Sequence, residues 1–267
     1  MSILKKIKHL LHLSKKNEHV SELNMNYCGF NLFYSEGTSI VKRFIETGSY
    51  EAKTLRAIID SINQKKASVF LDVGTNVGLI SLAVLEKFPT IKIVGFEPGP
   101  HQFDLFQKTI IENKIEESIQ LFPIALSDSN GSVSFFIHST ADASGDGLID
   151  TGRAGEAKKT TVKAMRLDDW WRENGQPKIG VVKCDTEGAE LLVFKGGSEM
   201  IEECKPIIIL EIFHANLINY PFDETDIFNF LSEKKYQLYT LDKKLLSKTE
   251  LIQLCKHESE FIAIPKL

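Results

Sequence analysis

The sequence predicts an α/β fold, a mostly parallel sheet of about seven strands with helices on both faces. Three observations carry this expectation. From Ser68 onward a short apolar run, an acidic or glycine-containing turn and a helical pattern recur in that order, which is the signature of βα units. The runs at 69–73, 91–96, 119–126, 179–184 and 207–210 supply successive strands, and late runs at 236–241 and 261–264 close the sheet. The chain of 267 residues, 43% hydrophobic and 25% charged, has enough apolar material for a sizeable core, which excludes disordered and collagen-like classes.

Taken in order, residues 1–66 read as an N-terminal cap and 67–267 as the main domain. Within 1–16, Ile3, Leu4, Ile7, Leu10 and Leu11 fall near one helical face and the lysines mostly elsewhere. That pattern suits either a helix lying on a membrane surface or a terminal helix packed on its own domain or on a partner subunit. The longest apolar run there, Leu10-Leu11, is too short for a signal peptide or a membrane span. No secretion is expected, and the expected location is cytoplasmic, with membrane contact at most peripheral. Residues 27–44 read as short strands and turns, and 50–62 as a helix. Between the third and fourth runs, Asn130-Gly131 marks a turn feeding an extra strand, a hairpin and loop insertion into the sheet. The stretch 140–160 has no aromatic residue but has Gly145, Gly147, Gly152 and Gly155, and reads as a mobile loop over one sheet end.

Charge and cysteine usage narrow the function. Thirty-two Lys plus Arg against thirty-six Asp plus Glu give a net charge of −4, which argues against a nucleic-acid partner. Cys28, Cys184, Cys204 and Cys255 form no CxxC pair, so a zinc ribbon or thioredoxin-type motif is excluded and a reduced compartment fits.

The chemistry concentrates where strands end. In VFLDVGTNVGLISL an apolar strand runs into Asp72, Gly74, Asn76 and Gly78 and then into a helix. Glycines at such a turn let the backbone approach a nucleotide, and the helix start presents free N–H groups. The next strand ends in Glu97, a carboxylate able to accept from both ribose hydroxyls, and Pro98 turns the chain aside so that an adenine fits beside it. Asp72 would repel a pyrophosphate, and Asn76 replaces the middle glycine of a dinucleotide site. A cationic nucleoside suits these residues better than NAD, and S-adenosylmethionine, with its sulfonium and ammonium groups, is that ligand. Further along, Asp185 ends a strand in VVKCDTEGAELLVF with Glu187 and Glu190 read in the first helical turn, and Glu211 ends PIIILEIF three residues before His214. Parallel strands would bring Asp72, Glu97, Asp185 and Glu211 to one edge, where ligands of such sheets bind. Acids at a helix start also have a plain structural explanation in the helix dipole. Trp170 and Trp171 suit either stacking on an acceptor or the core.

Together, Tyr50-Glu51, LDVGTNVG, FEPGP, ALSD at 125–128, RLDDW at 166–170, KCDTEGAE and ILEI at 209–212 resemble the FkbM family of S-adenosylmethionine-dependent methyltransferases. The resemblance covers about residues 48–212 in the family's order. It implies a Rossmann-like class I methyltransferase sheet of seven strands, the last antiparallel, and O-methylation of a hydroxyl on a sugar, glycan or secondary metabolite. It implies cofactor contacts at Glu51, Asp72, Gly74, Asn76, Gly78, Glu97, Pro98, Ala125 and the Asp128 loop.

Methyl transfer to oxygen needs the acceptor aligned in line and relieved of its proton. Asp185 is the expected centre of that step, with His214 and Glu211 assisting. In a metal-assisted variant Asp185, with Glu211 or His214, holds magnesium or calcium against the acceptor hydroxyl. A non-catalytic nucleoside-binding or scaffold module of the same fold is the alternative from another class.

Overall fold

A computed structural model describes residues 21–138, 145–153 and 155–266. The helix read over residues 1–16 lies outside the described residues. The described chain opens with an antiparallel hairpin, β1 (Glu22–Tyr27) and β2 (Phe30–Ser35), followed by α1 (Ser39–Thr47) and α2 (Ala52–Lys65). The α1 helix corrects the reading of 27–44 as strands and turns alone: Val41 is buried among apolar residues and Gly48 closes the helix in the left-handed region.

The main sheet follows. Strand β3 (Val69–Val73) leads to α3 (Leu79–Lys87), β4 (Lys92–Phe96) to α4 (Pro100–Glu112), and β5 (Ile119–Phe122) to the short β6 (Ala125–Leu126). The single run read over 119–126 is thus two strands. Pro123 has no N–H to give a ladder, and beyond it the chain leaves the main sheet. Strand β6 joins β7 (Gly131–His138) and β8 (Ala157–Met165) in a separate three-stranded sheet, the expected hairpin insertion. The loop reading of 140–160 is corrected in part. Residues 157–160 belong to β8, and Gly147 bridges back to Phe136 with bonds of 2.8 and 3.2 Å.

The chain returns through α5 (Leu167–Glu173), β9 (Val181–Cys184), α6 (Glu190–Gly196), α7 (Ser198–Cys204) and β10 (Ile207–Glu211). It finishes with α8 (His214–Leu217), α9 (Glu224–Glu233), β11 (Tyr236–Thr240), α10 (Lys248–Leu254) and β12 (Glu260–Pro265). The seven strands lie in the order β11-β12-β10-β9-β3-β4-β5, parallel throughout except for β12, which runs antiparallel between β10 and β11. This is the expected Rossmann-like methyltransferase sheet.

Alternation along each strand divides the core. Leu71, Val73, Val182 and Leu210 pack with Trp170 and Trp171 of α5 and with α6, α7, α9 and α10 on one face. Phe70, Val181, Ile207 and Ile209 pack with α2, α3 and α4 on the other. Both tryptophans are therefore core residues, 2% and 5% exposed, and the ring of Trp170 meets Phe96 edge-on with centroids 5.3 Å apart.

Candidate active site

Strand period places a polar row on the second face at the carboxyl ends of the strands. Asp72 and Phe70 share that face, and in the register Asp72 lies opposite Lys183 of β9, while Glu211 of β10 lies opposite Glu260 of β12. Asp72, Lys183, Glu211 and Glu260 line one cavity of about 410 Å³, together with Tyr50, Glu51, Gly74, Asn76, Glu97, Pro98, Ala125 and Asp185. The sheet thus gathers Asp72, Glu97, Asp185 and Glu211 as the sequence predicts.

The glycine turn is braced by the next strand. The N–H groups of Gly74 and Thr75 donate to the Phe96 carbonyl at 2.9 and 3.2 Å. Glu97, 7% exposed, accepts from the Asn76 N–H on one oxygen and the Gly99 N–H on the other, each at 2.8 Å. Its burial pushes the carboxyl up to about 7 in spite of those two donors. Each oxygen keeps a lone pair for a further donor. Asp72, 1% exposed, takes the Ser81 hydroxyl on Oδ2 at 2.6 Å, and its buried Oδ1 has no hydrogen-bond partner among the described residues.

Glu51, also in the cavity wall, holds a left-handed backbone, φ 43°, just before α2. Its buried Oε2 likewise has no hydrogen-bond partner among the described residues, and desolvation pushes the carboxyl up to about 7. Two orphaned carboxylate oxygens in one cavity fit a cationic ligand such as the ammonium of S-adenosylmethionine. Lys183, 5% exposed, is a buried cation of the cavity wall: its Nζ donates to Asp185 Oδ2 at 2.9 Å. Burial alone would lower its pKa, but the charges of Asp185, Glu51 and Asp72 outweigh burial and hold it well above the usual lysine range.

Asp185, Glu187 and Glu211 offer ligand oxygens that all lie within 4.8 Å of one another. Asn216 donates to Glu211 at 2.7 Å, and Arg153 pairs with Glu187 at 3.3 Å and with Asn216. Burial and the neighbouring carboxylates push Glu211 well above the ordinary range and Glu187 up to about 7.

Several expected site residues lie elsewhere. Gly78 is not in the cavity wall, and a Cβ there would stand 2.1 Å from the Phe106 ring, so a glycine lets the turn pack directly on that ring. Asp128 is also outside it, an exposed residue whose carbonyl accepts from Arg166 at 3.1 Å. His214 turns away: its Nδ1 lies 3.3 Å from Glu224 and its side chain is 46% exposed. Glu187 precedes the helix, with φ 56°, and Glu190 accepts from the N–H groups of Thr186 and Gly188, closing its own turn. Sequence reasoning assigned no role to Lys183, although a lysine inside the apolar run VVKC beside an acid was its signal.

A family model of the methyltransferase FkbM domain matches residues 72–238. Relatives include methyltransferase sdnD of Sordaria araneosa, 29% identical over 59% of this chain and 71% of that protein. The hexuronic acid methyltransferase AglP of Haloferax volcanii is 28% identical over 69% of each chain. The 2-O-methyltransferase NoeI of Sinorhizobium fredii is 28% identical over 57% of this chain and 66% of its own. A solved FkbM methyltransferase from Methylobacillus flagellatus superposes with a TM-score of 0.46 and 13% identity, over 74% of this chain and 43% of that one. The cavity lies at the carboxyl edge of the open α/β sheet, where such sheets bind their ligands, and the family match makes the chain an S-adenosylmethionine-dependent methyltransferase. This chain belongs to the FkbM methyltransferase family.

Proposed function

We propose that the enzyme methylates a hydroxyl oxygen of a sugar, glycan or hydroxylated metabolite, with Asp185 as the group that receives the hydroxyl proton. The observation that carries this reading is the Asp185 carboxylate in the cavity wall, tied to a buried lysine at 2.9 Å, while His214 faces outward. S-adenosylmethionine, when bound, supplies a methyl group on a sulfonium, which is open to in-line displacement. Asp72 and Glu51, each with an orphaned buried oxygen, hold the ammonium, and Glu97 holds the ribose hydroxyls. Lys183 keeps the Asp185 side chain in place, and Glu211 orients the acceptor through its own hydrogen-bonding capacity. The name of one relative, a hexuronic acid methyltransferase, supports a carbohydrate acceptor, and that of another, a 2-O-methyltransferase, supports transfer to oxygen.

The test is transfer of a labelled methyl group from S-adenosylmethionine to a panel of sugars, glycans and hydroxylated metabolites. Alkali-stable label on oxygen is expected. Label released by alkali as methanol would mark a carboxyl ester and count against a hydroxyl acceptor.

A second reading is favoured by the three convergent carboxylates. Asp185, Glu187 and Glu211, all oxygen donors within 4.8 Å of one another, suit magnesium or calcium binding the acceptor hydroxyl and lowering its pKa. Full activity in excess chelator removes this reading and leaves Asp185 as an unassisted base.

A further inference from the structure

The edge of the main sheet away from the cavity is organised by charge. Six neighbouring strands each carry a lysine there. In sheet order these are Lys235 before β11, Lys266 after the antiparallel β12, Lys205 before β10, Lys178 before β9, Lys66 before β3 and Lys92 at the start of β4. All six are exposed, and none has an ion-pair partner among the described residues. The strand ends that carry them are tied to one another: Lys65 Nζ donates to the Lys205 carbonyl at 2.8 Å, and the Lys266 N–H to the Lys235 carbonyl at 2.8 Å. Burial and the charges of Lys178 and Lys205 lower the pKa of Lys65, so these ammonium groups feel one another. Helix ends behind the row add Lys65, Lys87 and Lys234 against Glu86, Glu173, Glu202, Glu203 and Glu233, which leaves this edge positive on a chain of net charge −4. The row stops at β5, where Glu112, Glu116 and Glu117 outnumber Lys114. Three of its lysines, Lys66, Lys205 and Lys235, hold left-handed backbone at helix ends, with φ of 48°, 46° and 64°, where helices commonly close on glycine. The helix dipole favours a cation at such a place, but the left-handed backbone costs a side chain at least as much.

We propose that this lysine row docks the enzyme on a bilayer surface rich in anionic phospholipid, with the cavity facing away from it. At about 4.8 Å per strand the row is roughly 24 Å long, enough to meet several headgroups at once. Lysine suits such a contact, since it carries a compact charge on a flexible stem and needs no fixed partner geometry. The edge offers nothing that reads a polymer. None of the six lysines lines the reaction cavity or the smaller cavity between α2 and β12. No aromatic side chain among the described residues is exposed, so bases and sugar rings find no stacking surface. Asp72, Glu97, Asp185 and Glu211 gather at the opposite edge, so an anionic surface orients the molecule as well as attracting it. The contact depends neither on the acceptor nor on the helix read over residues 1–16.

The experiment is co-sedimentation of the full chain with vesicles of phosphatidylcholine alone and of phosphatidylcholine with about one third phosphatidylserine, at low and at high salt. Binding to the serine-lipid vesicles alone is expected, weakened by salt. The variant Lys66→Gly/Lys205→Gly/Lys235→Gly removes three charges where the backbone accepts glycine. Its partition onto those vesicles is expected to fall by about a hundredfold, while its melting temperature and its affinity for S-adenosylhomocysteine stay near those of the unaltered protein. Lys92→Gln/Lys178→Gln/Lys266→Gln leaves the left-handed turns alone and is expected to show the same loss. Lys42→Gln/Lys158→Gln/Lys244→Gln removes as many exposed charges elsewhere and is expected to keep binding within severalfold. Absence of binding to the anionic vesicles overturns the proposal. Full binding by the row variants also overturns it and assigns the contact to residues 1–16, and an equal loss in the control overturns it as an effect of total charge. Salt-sensitive retention on a sulfated polysaccharide or on DNA, without vesicle binding, overturns it too and gives the row to a polymer.

Discussion

A Cβ on Gly74 would stand 1.8 Å from the carbonyl oxygen of Asp185, with φ at +81°, so any side chain there pushes apart the two strand ends that frame the cavity. Gly74→Ala is therefore expected to abolish detectable binding of S-adenosylhomocysteine in a calorimetric titration. Gly78→Ala meets the Phe106 ring instead and is expected to cost roughly 1–3 kcal/mol of stability in a denaturant melt, by overpacking behind the turn. Glu97→Ala removes both the ribose acceptor and the brace of the glycine turn, and its affinity for the same ligand should fall by about two orders of magnitude. The pH dependence follows from the same carboxyl. With its value pushed up to about 7, Glu97 is partly protonated at neutral pH, and a ligand that donates to it favours the ionised form. Affinity should rise with pH from about 6 to 8 and flatten in Glu97→Gln, apart from the share contributed by Glu51.

At the scale of elements, β9 carries the most consequence per residue. Its alternation puts Val182 and Cys184 into one core and Val181 into the other, leaving Lys183 on the face where Asp72 is its register partner. Lys183→Met keeps most of the stem but strands the acids that surround the ammonium. Loss of about 3–5 kcal/mol is expected in equilibrium unfolding, as for other broken buried ion pairs, with partial recovery in Lys183→Arg. Asp185→Asn tests the reaction itself. Turnover should fall by at least about a hundredfold while S-adenosylhomocysteine affinity stays within severalfold, since the base acts on the acceptor. Near-full turnover in that variant would remove Asp185 from the mechanism. The insertion illustrates a limit of pattern reading at this scale. Turn residues marked the start of β7, but nothing in the glycine-rich stretch after it signalled that Asp146 would be clamped by His138 and Leu148 packed against Phe135.

For the whole molecule, buried acids dominate the balance of charge and stability. Glu51, Glu97, Glu187 and Glu190 all have carboxyls pushed up to about 7. Because the folded state holds these protons more tightly than the unfolded chain, their stabilising contribution is complete below the ordinary carboxylate range and is lost as pH rises through about 7. The melting temperature of the ligand-free protein should therefore fall between about pH 5.5 and 8, and saturating S-adenosylhomocysteine should restore more of it at the higher pH. A flat or rising melting curve without ligand would contradict that reading of the cavity. Among the described residues, no helix is long and apolar enough to cross a membrane.

Periodicity and composition by themselves determined the sheet, its strand sequence and the edge at which the acids meet. Both properties are local: an apolar run of strand length and a turn residue act through their immediate neighbours, and parallel connectivity then carries every strand end to the same side. The burial of Trp170 and Trp171, the outward turn of His214 and the packing role of Gly78 were decided only by tertiary structure. So was the pairing of Lys183 with Asp185, on the strand next to Asp72. These depend on which groups from distant parts of the chain arrive beside them, and on the low dielectric of the interior, where a charge is kept only if another is brought to meet it.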